Sequence, residues 1–356
     1  MVNKMETKNR NIMILGTVIM VLLTATPMIS TALAQASPIY YSYQSGQLTL
    51  QTDKIIVRVT GLSGAGSNNM PHIIFWNPDD NNTIYHLKFI QLIEFIDSNG
   101  DQVFQYNEIA TGNPVFSFAS SQWNFSGFVE EENGVSCNFT LDSSKIPVGI
   151  LNLSDFEFIL AVHIYSTDHQ ITVAGENTTI NALYEVKVDI IMKGWDWKTS
   201  NPNTMLALRV DLTWQTGAEA QLKMGLPGGH SIEAGTVINQ GEEKKINNTA
   251  TIQEQINFTG TDSETLAYFK YIDVAEDDLG PLNVTASYAT TQSGLKIYLC
   301  YPKWTGTLVH DPTVGVTENI LSILPFFLTP IFLILVSVVV VSAFGGILVL
   351  KRNGKL

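Results

Sequence analysis

Basic residues are scarce in this chain, and the short motifs of common enzyme classes are absent. The sequence has 20 Lys and Arg against 33 Asp and Glu over 356 residues, a formal net charge of −13. This balance argues against a nucleic-acid or anionic-lipid partner. The sequence has no His-Glu-x-x-His, Gly-x-Ser-x-Gly, phosphate-loop or Cys-x-x-Cys motif. No motif therefore assigns an enzyme, although carboxylates assembled from distant strands leave no motif.

Cysteine is equally scarce, with only Cys137 and Cys300. An even pair in an exported chain predicts one disulfide, which contributes at most ~5 kcal/mol in the chain-entropy model. Strand alternation argues against this bond. Cys137 falls on the apolar face of its strand, whereas Cys300 falls opposite the apolar residues between Leu295 and Tyr301. The sequence predicts either a Cys137–Cys300 disulfide or two buried free thiols.

Formal charge is missing from Ile320 to Leu350, near the end of the chain. Pro325 and Pro330 interrupt the first third of this run, and the remaining twenty residues would span ~30 Å as a helix, the thickness of a bilayer core. We therefore expect residues 320–350 to form one transmembrane segment in the lipid bilayer. The tail 351–356 is basic, which predicts that it lies on the cytoplasmic side of the membrane.

The N-terminus has the layout of a secretory signal. Three basic residues precede the apolar run Ile12–Leu23, and Ala32–Ala36 offers small-x-small cleavage sites. Residues 1–36 predict a signal peptide, with an uncleaved signal anchor as the alternative. Either arrangement exports residues 37–317. The predicted localisation is the cell membrane, as a single-pass type I protein with an extracellular ectodomain.

Asn-x-Ser/Thr sequons are frequent between the two membrane-directed ends and predict N-glycosylation. Strand alternation places Asn138, Asn257 and Asn283 on solvent faces, and Asn81 and Asn177 fall in polar loops. The alternative is that some sequons are unused. The eight predicted acceptors are Asn81, Asn124, Asn138, Asn152, Asn177, Asn247, Asn257 and Asn283.

Period-two alternation of apolar and polar residues recurs along the exported part and predicts an all-β fold of antiparallel β-sandwich type. The segments 183–193 and 205–215 alternate clearly, and residues 194–203 between them predict a hairpin loop. A soft boundary near 194 divides the ectodomain into β-sandwich regions 37–194 and 195–317. One continuous sandwich of this length is the alternative.

The most specific short motif runs from Asp97 to Glu108 and resembles a calcium loop of the EF-hand kind. Asp97, Asn99 and Asp101 supply oxygens at positions one, three and five, and Glu108 stands at position twelve. Gln102 replaces the turn glycine at position six, and the flanks predict strands rather than helices. An acidic turn without metal is the alternative, because Asp, Asn and Gly favour turns.

Trp195 and Trp197 share strand parity beside the predicted loop. Two indole rings on one face predict a stacking platform for a sugar or a peptide. Packing of these rings in the core or at a sheet edge is the alternative.

Three stretches of the ectodomain resemble uncharacterised archaeal single-pass surface proteins with a signal, a β-rich ectodomain and an anchor. They are Trp195–Trp197 followed by Leu206–Asp211, the acidic segment Glu94–Glu108, and Leu308–Val316 before the apolar run. The resemblance implies this architecture and carries no activity.

These patterns predict a cell-surface type I membrane glycoprotein whose ectodomain acts in binding, adhesion or envelope scaffolding. Its partner would be an extracellular protein or a glycan, with no nucleic acid and no cofactor other than calcium. One alternative is a membrane-tethered extracellular hydrolase with carboxylates assembled by folding. The other is an accessory subunit of a membrane complex.

Overall fold

The computed structural model describes residues 39–60, 71–80, 82–112, 114–146, 151–216, 223–227, 230–233, 243–246, 253–260, 265–291 and 294–317. These residues form strands and short 3-10 turns, with no α-helix among them. In this described part, no helix is long and apolar enough to cross a bilayer. The predicted signal peptide (1–36), the apolar segment 320–350 and the tail 351–356 lie outside the described residues.

Every pair of strands among the described residues is antiparallel. The strands are β1 (Tyr40–Gln44), β2 (Gln47–Gln51), β3 (Ile56–Thr60), β4 (His72–Trp76), β5 (Thr83–Ile96), β6 (Val115–Ser117), β7 (Trp123–Glu131), β8 (Gly134–Leu141), β9 (Glu157–Tyr165), β10 (His169–Val173), β11 (Glu176–Ile180) and β12 (Glu185–Lys193). They continue with β13 (Thr204–Thr216), β14 (Lys223–Leu226), β15 (His230–Glu233), β16 (Lys244–Lys245), β17 (Gln253–Thr259), β18 (Thr265–Ile272), β19 (Val274–Asp277), β20 (Gly280–Asn283), β21 (Thr285–Thr291), β22 (Gly294–Pro302), β23 (Thr307–His310) and β24 (Thr313–Val316). The 3-10 turns are Tyr106–Glu108, Phe118–Ser120 and Ser143–Lys145.

The strands form two large sheets and one separate hairpin. The ten-stranded sheet has the order β1-β2-β3-β4-β5-β13-β22-β21-β16, with β6 beside β5. The twelve-stranded sheet has the order β15-β14-β17-β18-β24-β12-β23-β19-β20, and β9, β8 and β7 extend it from β12. Among the described residues, strands β10 and β11 pair only with each other. The all-β, antiparallel class predicted from the alternation is confirmed.

One continuous apolar core lies between the two large sheets, as in a β-sandwich. Tyr85 of β5 contacts Phe258 of β17 with ring centroids 5.0 Å apart, and Trp214 of β13 contacts the same ring at 6.2 Å. The alternation predicted for β12 and β13 places their apolar residues in this core. Val188 of β12 and Leu208 of β13, for example, are fully buried.

A β-bulge in β5 reverses the parity of its second half. Arg209 pairs with Gln91 and Val210 pairs with Phe89, so Ile90 is the extra residue. Before the bulge Phe89 faces the inter-sheet core, and after it Leu92 does. Glu94 therefore also faces inward, two residues beyond Leu92.

A smaller apolar cluster lies on the outer face of the ten-stranded sheet. Ile93, Phe95 and Cys300 contribute from the sheet, and Phe104 packs onto them from the acidic segment. The rings of Phe95 and Phe104 meet edge-on at 5.5 Å. The segment after β5 thus covers part of the sheet instead of projecting into solvent.

The soft boundary near residue 194 does not separate two domains in the structure. Strand β5 pairs with β13, and β12 pairs with β23 and β24, so each large sheet contains strands from both predicted regions. The described residues fall within one compact unit. The predicted hairpin over 194–203 is also wrong, because β12 and β13 belong to different sheets and this loop crosses between them.

The predicted disulfide is absent, since both cysteines are free and buried. Cys137 of β8 belongs to the inter-sheet core, whereas Cys300 of β22 belongs to the cluster on the outer face of the ten-stranded sheet. The ten-stranded sheet itself therefore lies between the two sulfur atoms. Burial raises the pKa of each thiol to about 12, which keeps both protonated and unreactive in the folded protein.

Candidate functional site

Three segments that are distant in sequence meet at one end of the sandwich. We call them together the loop surface: the acidic turn Asp97–Glu108, the crossing loop 194–203, and Lys303 with Trp304. The backbone N–H of Asp97 donates to the carbonyl of Asn203 at 3.0 Å. Lys303 Nζ donates to the carbonyl of Thr199 at 2.7 Å. Two motifs that were singled out separately in the sequence thus form one surface.

Glu94 holds the crossing loop in place. Its side chain is fully buried, and its carboxylate accepts N–H groups from three loop residues. The indole N–H of Trp195 donates to Oε2 at 3.3 Å, the backbone N–H of Lys198 donates to both oxygens at 3.0 and 3.1 Å, and that of Thr199 donates to Oε1 at 3.0 Å. Because the carboxylate is inside, the loop wraps around it.

Trp195 cannot form the predicted stacking platform with Trp197. It is only 6 % exposed, its indole N–H is bound to Glu94, and its ring packs edge-on against Phe156 at 5.3 Å. Trp197 is half-buried and forms a T-shaped pair with Trp304 at 5.2 Å. Lys303 Nζ lies 5.5 Å from the centroid of the Trp197 ring. Trp197 and Trp304 form an aromatic pair on the loop surface.

The acidic turn begins with a side chain that closes it. Asp97 Oδ1 accepts the backbone N–H of Gly100 at 2.8 Å, and Oδ2 accepts that of Gln102 at 3.1 Å. Gln102 has φ +61°, the conformation that usually requires glycine at position six of a calcium loop. The sequence departs from the motif at this position, but the backbone adopts the required shape.

The remaining predicted ligands are tied into the same turn. Asn99 Oδ1 accepts the N–H of Asp101 at 2.9 Å, and Asp101 Oδ1 accepts the N–H of Val103 at 3.1 Å. Glu108 is 5 % exposed, and its Oε1 accepts both the N–H and the hydroxyl of Ser98, at 3.0 and 2.6 Å. Its Oε2 is buried without a hydrogen-bond partner. In the described part of the chain, no three His, Cys, Asp or Glu side chains are close enough to hold a metal ion.

A charged network that sequence reasoning did not identify lies on the outer face of the twelve-stranded sheet. Lys187 Nζ donates to Asp189 and, at 2.9 Å, to Asp311 Oδ1. His163 lies between two carboxylates, 3.3 Å from Glu131 Oε1 and 3.3 Å from Asp189 Oδ2. The alternation of β12 places Lys187 and Asp189 on one polar face, but only the pairing of β9 with β12 brings His163 to them.

The two aspartates of this network differ in acidity. Burial raises the pKa of Asp311 above its usual value, and the Lys187 charge only partly opposes the shift. Burial acts on Asp189 in the same direction, but the nearby His163 ring and the charge of Lys187 outweigh it and lower the pKa of Asp189. A pair of carboxyl groups with divergent pKa values is a feature of many acid/base sites.

A shallow cleft of about 460 Å³ lies beside Thr317, the last described residue. Its lining includes Asn181, Tyr268 and Lys270. All three donate to the fully buried carboxylate of Glu185, Tyr268 through its hydroxyl at 2.6 Å and Asn181 through its backbone N–H at 2.7 Å. These three polar groups of the cleft are therefore already engaged within the protein.

His310 links the two sheets inside the core. Its Nδ1 lies 2.9 Å from the hydroxyl of Tyr301, and its Nε2 lies 2.7 Å from the carbonyl of Ile272. Since a carbonyl can only accept, Nε2 carries the proton and Nδ1 accepts from Tyr301. Burial lowers the pKa of His310 to about 4, so the ring is neutral at physiological pH.

Six of the eight sequons lie in the described residues. Asn124, Asn152, Asn177 and Asn283 are exposed. The remaining two are half-buried and lie within the twelve-stranded sheet; they are Asn138 of β8 and Asn257 of β17. Asn81 and Asn247 lie outside the described residues.

Comparisons with known proteins assign no family to this chain. A scan against protein-family models gives no match, and a search of the curated proteins gives none either. Any functional inference for this chain therefore depends on its own residues.

Proposed function

We propose that the protein is a cell-surface type I membrane glycoprotein whose ectodomain binds an extracellular glycan or protein through the loop surface. The supporting observation is the half-buried pair Trp197 and Trp304, with Lys303 beside it and the acidic turn adjacent. Aromatic faces next to charged groups suit sugar rings and peptide side chains, because they offer stacking area and hydrogen bonds together.

The organisation of the core favours binding over interior catalysis. Fully buried aromatic rings such as Phe139 and Phe258 occupy the space between the sheets. A core filled in this way leaves the loops and the outer faces as the places where a partner is contacted. The loop surface is the place where three separate segments converge.

The test is ligand binding by the full chain in detergent or nanodiscs, with a glycan array and an extracellular protein library as probes. We expect Trp197→Ala and Trp304→Ala each to weaken binding at least ~10-fold, as is common for aromatic hot spots. Tyr40→Ala is the matched control, because Tyr40 is an aromatic side chain that is 62 % exposed on β1. Equal binding by all three variants would contradict the proposal.

Calcium is a separate proposal for the acidic turn. It is supported by the partnerless buried Oε2 of Glu108 and by the positive φ of Gln102. A bound calcium ion would give Oε2 of Glu108 a partner. Calorimetric titration of the full chain should show heat that Glu108→Gln removes. No heat, together with an unchanged melting temperature in chelator, would refute this proposal.

A membrane-tethered extracellular hydrolase is the second candidate function. It is favoured by one observation, the Asp189–Lys187–Asp311 arrangement with divergent acidities. Chromogenic glycoside, ester and peptide substrates would test it. Hydrolysis that Asp311→Asn abolishes, while Asp168→Asn leaves it unchanged, would support the enzyme.

A further inference from the structure

Two predicted glycan acceptors face each other across the β7–β8 hairpin. In the register of these strands, Asn124 lies opposite Thr140. A bulge follows, in which Ser126 and Gly127 together lie opposite Asn138. Each acceptor asparagine is thus opposite the hydroxyl residue of the other sequon, so the two sequons are mutually paired.

The bulge engages the hydroxyl of the first sequon. Gly127 has φ +88°, which opens the ladder at this point. The backbone N–H of Asn138 then donates to Ser126 Oγ at 3.1 Å. Ser126 is exposed, but its hydroxyl, which completes the first sequon, is bound to the partner strand while the hairpin is folded.

The second sequon is held even more firmly. Strand β8 is an internal strand, paired with β7 on one side and with β9 on the other. Asn138 lies opposite Ala161 of β9, and its side chain is half-buried. An enzyme that must enclose the Asn-x-Thr segment cannot do so while both ladders are formed. Asn152 differs, because it is exposed in the connection between β8 and β9 and belongs to no strand.

We propose that Asn124 and Asn138 are glycosylated only before β7 and β8 pair, as two halves of one hairpin site. In the transfer, the side-chain amide nitrogen forms a bond to the anomeric carbon of a lipid-phosphate-linked sugar. The bond from that carbon to the phosphate oxygen breaks, the lipid phosphate leaves, and the amide nitrogen loses one proton. The inference rests on the proposed N-glycosylation.

The position of the hairpin explains what the paired glycans do. In the described residues β7 pairs only with β8, so it is an edge strand of the twelve-stranded sheet. Val129 on this strand is 57 % exposed. An edge strand with an exposed apolar side chain invites pairing with another chain. Two glycans that emerge together from β7 and β8 block that approach.

The experiment compares two moments of modification in the same full-length chain. One sample is translated in the presence of glycosylating membranes. The other is made without glycosylation, folded in nanodiscs, and then offered to the same membranes with a lipid-linked sugar donor. Occupancy of Asn124, Asn138 and Asn152 is measured by mass spectrometry. We expect all three sites to be occupied in the first sample. In the second sample we expect Asn152 to be occupied, and Asn124 and Asn138 to be modified ~100-fold more slowly than Asn152.

A variant of the bulge provides the matched control. Gly127→Val places a β-branched residue at positive φ and should raise the rate at Asn124 in the folded chain without changing that at Asn152. Gly127→Ala is the milder variant if the chain with Gly127→Val does not fold. Folded wild-type chain modified equally fast at Asn124, Asn138 and Asn152 would overturn the inference. Absence of glycan at all three sites in the first sample would overturn the proposed glycosylation, and the inference with it.

Discussion

Replacement of Glu94 by glutamine is the sharpest test of how the loop surface is built. The substitution keeps the shape of the side chain but replaces one acceptor oxygen by an NH₂ group. The carboxylate accepts N–H groups from Trp195, Lys198 and Thr199, all between 3.0 and 3.3 Å away. The new NH₂ group would therefore point at donors and would leave at least one buried N–H without an acceptor.

The magnitude follows from these contacts. One orphaned buried donor costs ~1–3 kcal/mol, and hydrogen bonds to a charged acceptor weaken from ~1.5–3 to ~1 kcal/mol when the acceptor becomes neutral. Glutamine also removes the desolvation cost of a buried carboxylate, which offsets part of this loss. We expect Glu94→Gln to lower the free energy of unfolding by ~2–3 kcal/mol and to weaken ligand binding at Trp197.

Urea unfolding followed by tryptophan fluorescence and by circular dichroism measures this change. Asp196→Asn is the matched control, because it makes the same chemical change in the same loop on a carboxylate that is about one-third exposed. Asp196 binds Lys198 and the N–H of Asn152, and its loss should cost less than ~1 kcal/mol. If Glu94→Gln costs no more than Asp196→Asn, Glu94 does not organise the loop.

The remaining predictions concern acid stability, thiol reactivity and self-association. The pKa of His310 is about 4 in the folded protein and ~6.5 in the unfolded chain. The free energy of unfolding should therefore fall by up to ~3 kcal/mol as the pH falls from 6.5 to 4. Urea unfolding of His310→Gln should depend less on pH, and an unchanged dependence would contradict this. Without reductant, a thiol reagent should label neither cysteine in the native protein and both after unfolding; a chain with no labelled cysteine would contradict the free thiols. The double variant Asn124→Gln, Asn138→Gln should self-associate more than Asn152→Gln in analytical ultracentrifugation, and equal association would argue against the glycan shield.

Alternation allowed the strands to be predicted but not their assignment to sheets. The apolar and polar faces of β12 and β13 follow directly from the sequence, because a strand repeats every two residues. The crossing loop 194–203 looks like a hairpin loop in sequence, since either connection places turn residues between two alternating segments. Which sheet receives β13 depends on its long-range pairing with β5 and β22, and no local pattern encodes that choice.

The cysteines show that strand alternation can argue correctly against a disulfide. Cys300 lies on the face opposite Leu299 and Tyr301, and the structure places those two residues in the inter-sheet core and Cys300 outside it. Parity alone therefore disfavoured the disulfide, whereas the rule that exported cysteines pair favoured it. Geometry takes precedence, because a sheet between two sulfur atoms prevents the close approach that a disulfide requires.

The alternation of a strand no longer predicts which residues face the core once the strand contains an extra residue. In β5 this irregularity makes the loop surface possible. With a regular β5, Glu94 would share a face with His86 and Lys88, outside the core, and the N–H groups of the crossing loop would have no acceptor there. The bulge at Ile90 turns Glu94 inward and leaves Phe95 outward to hold Phe104 of the acidic turn. One irregular residue thus positions both Glu94, which holds the crossing loop, and Phe95, against which the acidic turn packs. Because a bulge has no sequence signal in this strand, the site could only be recognised once the pairing of β5 with β13 was known.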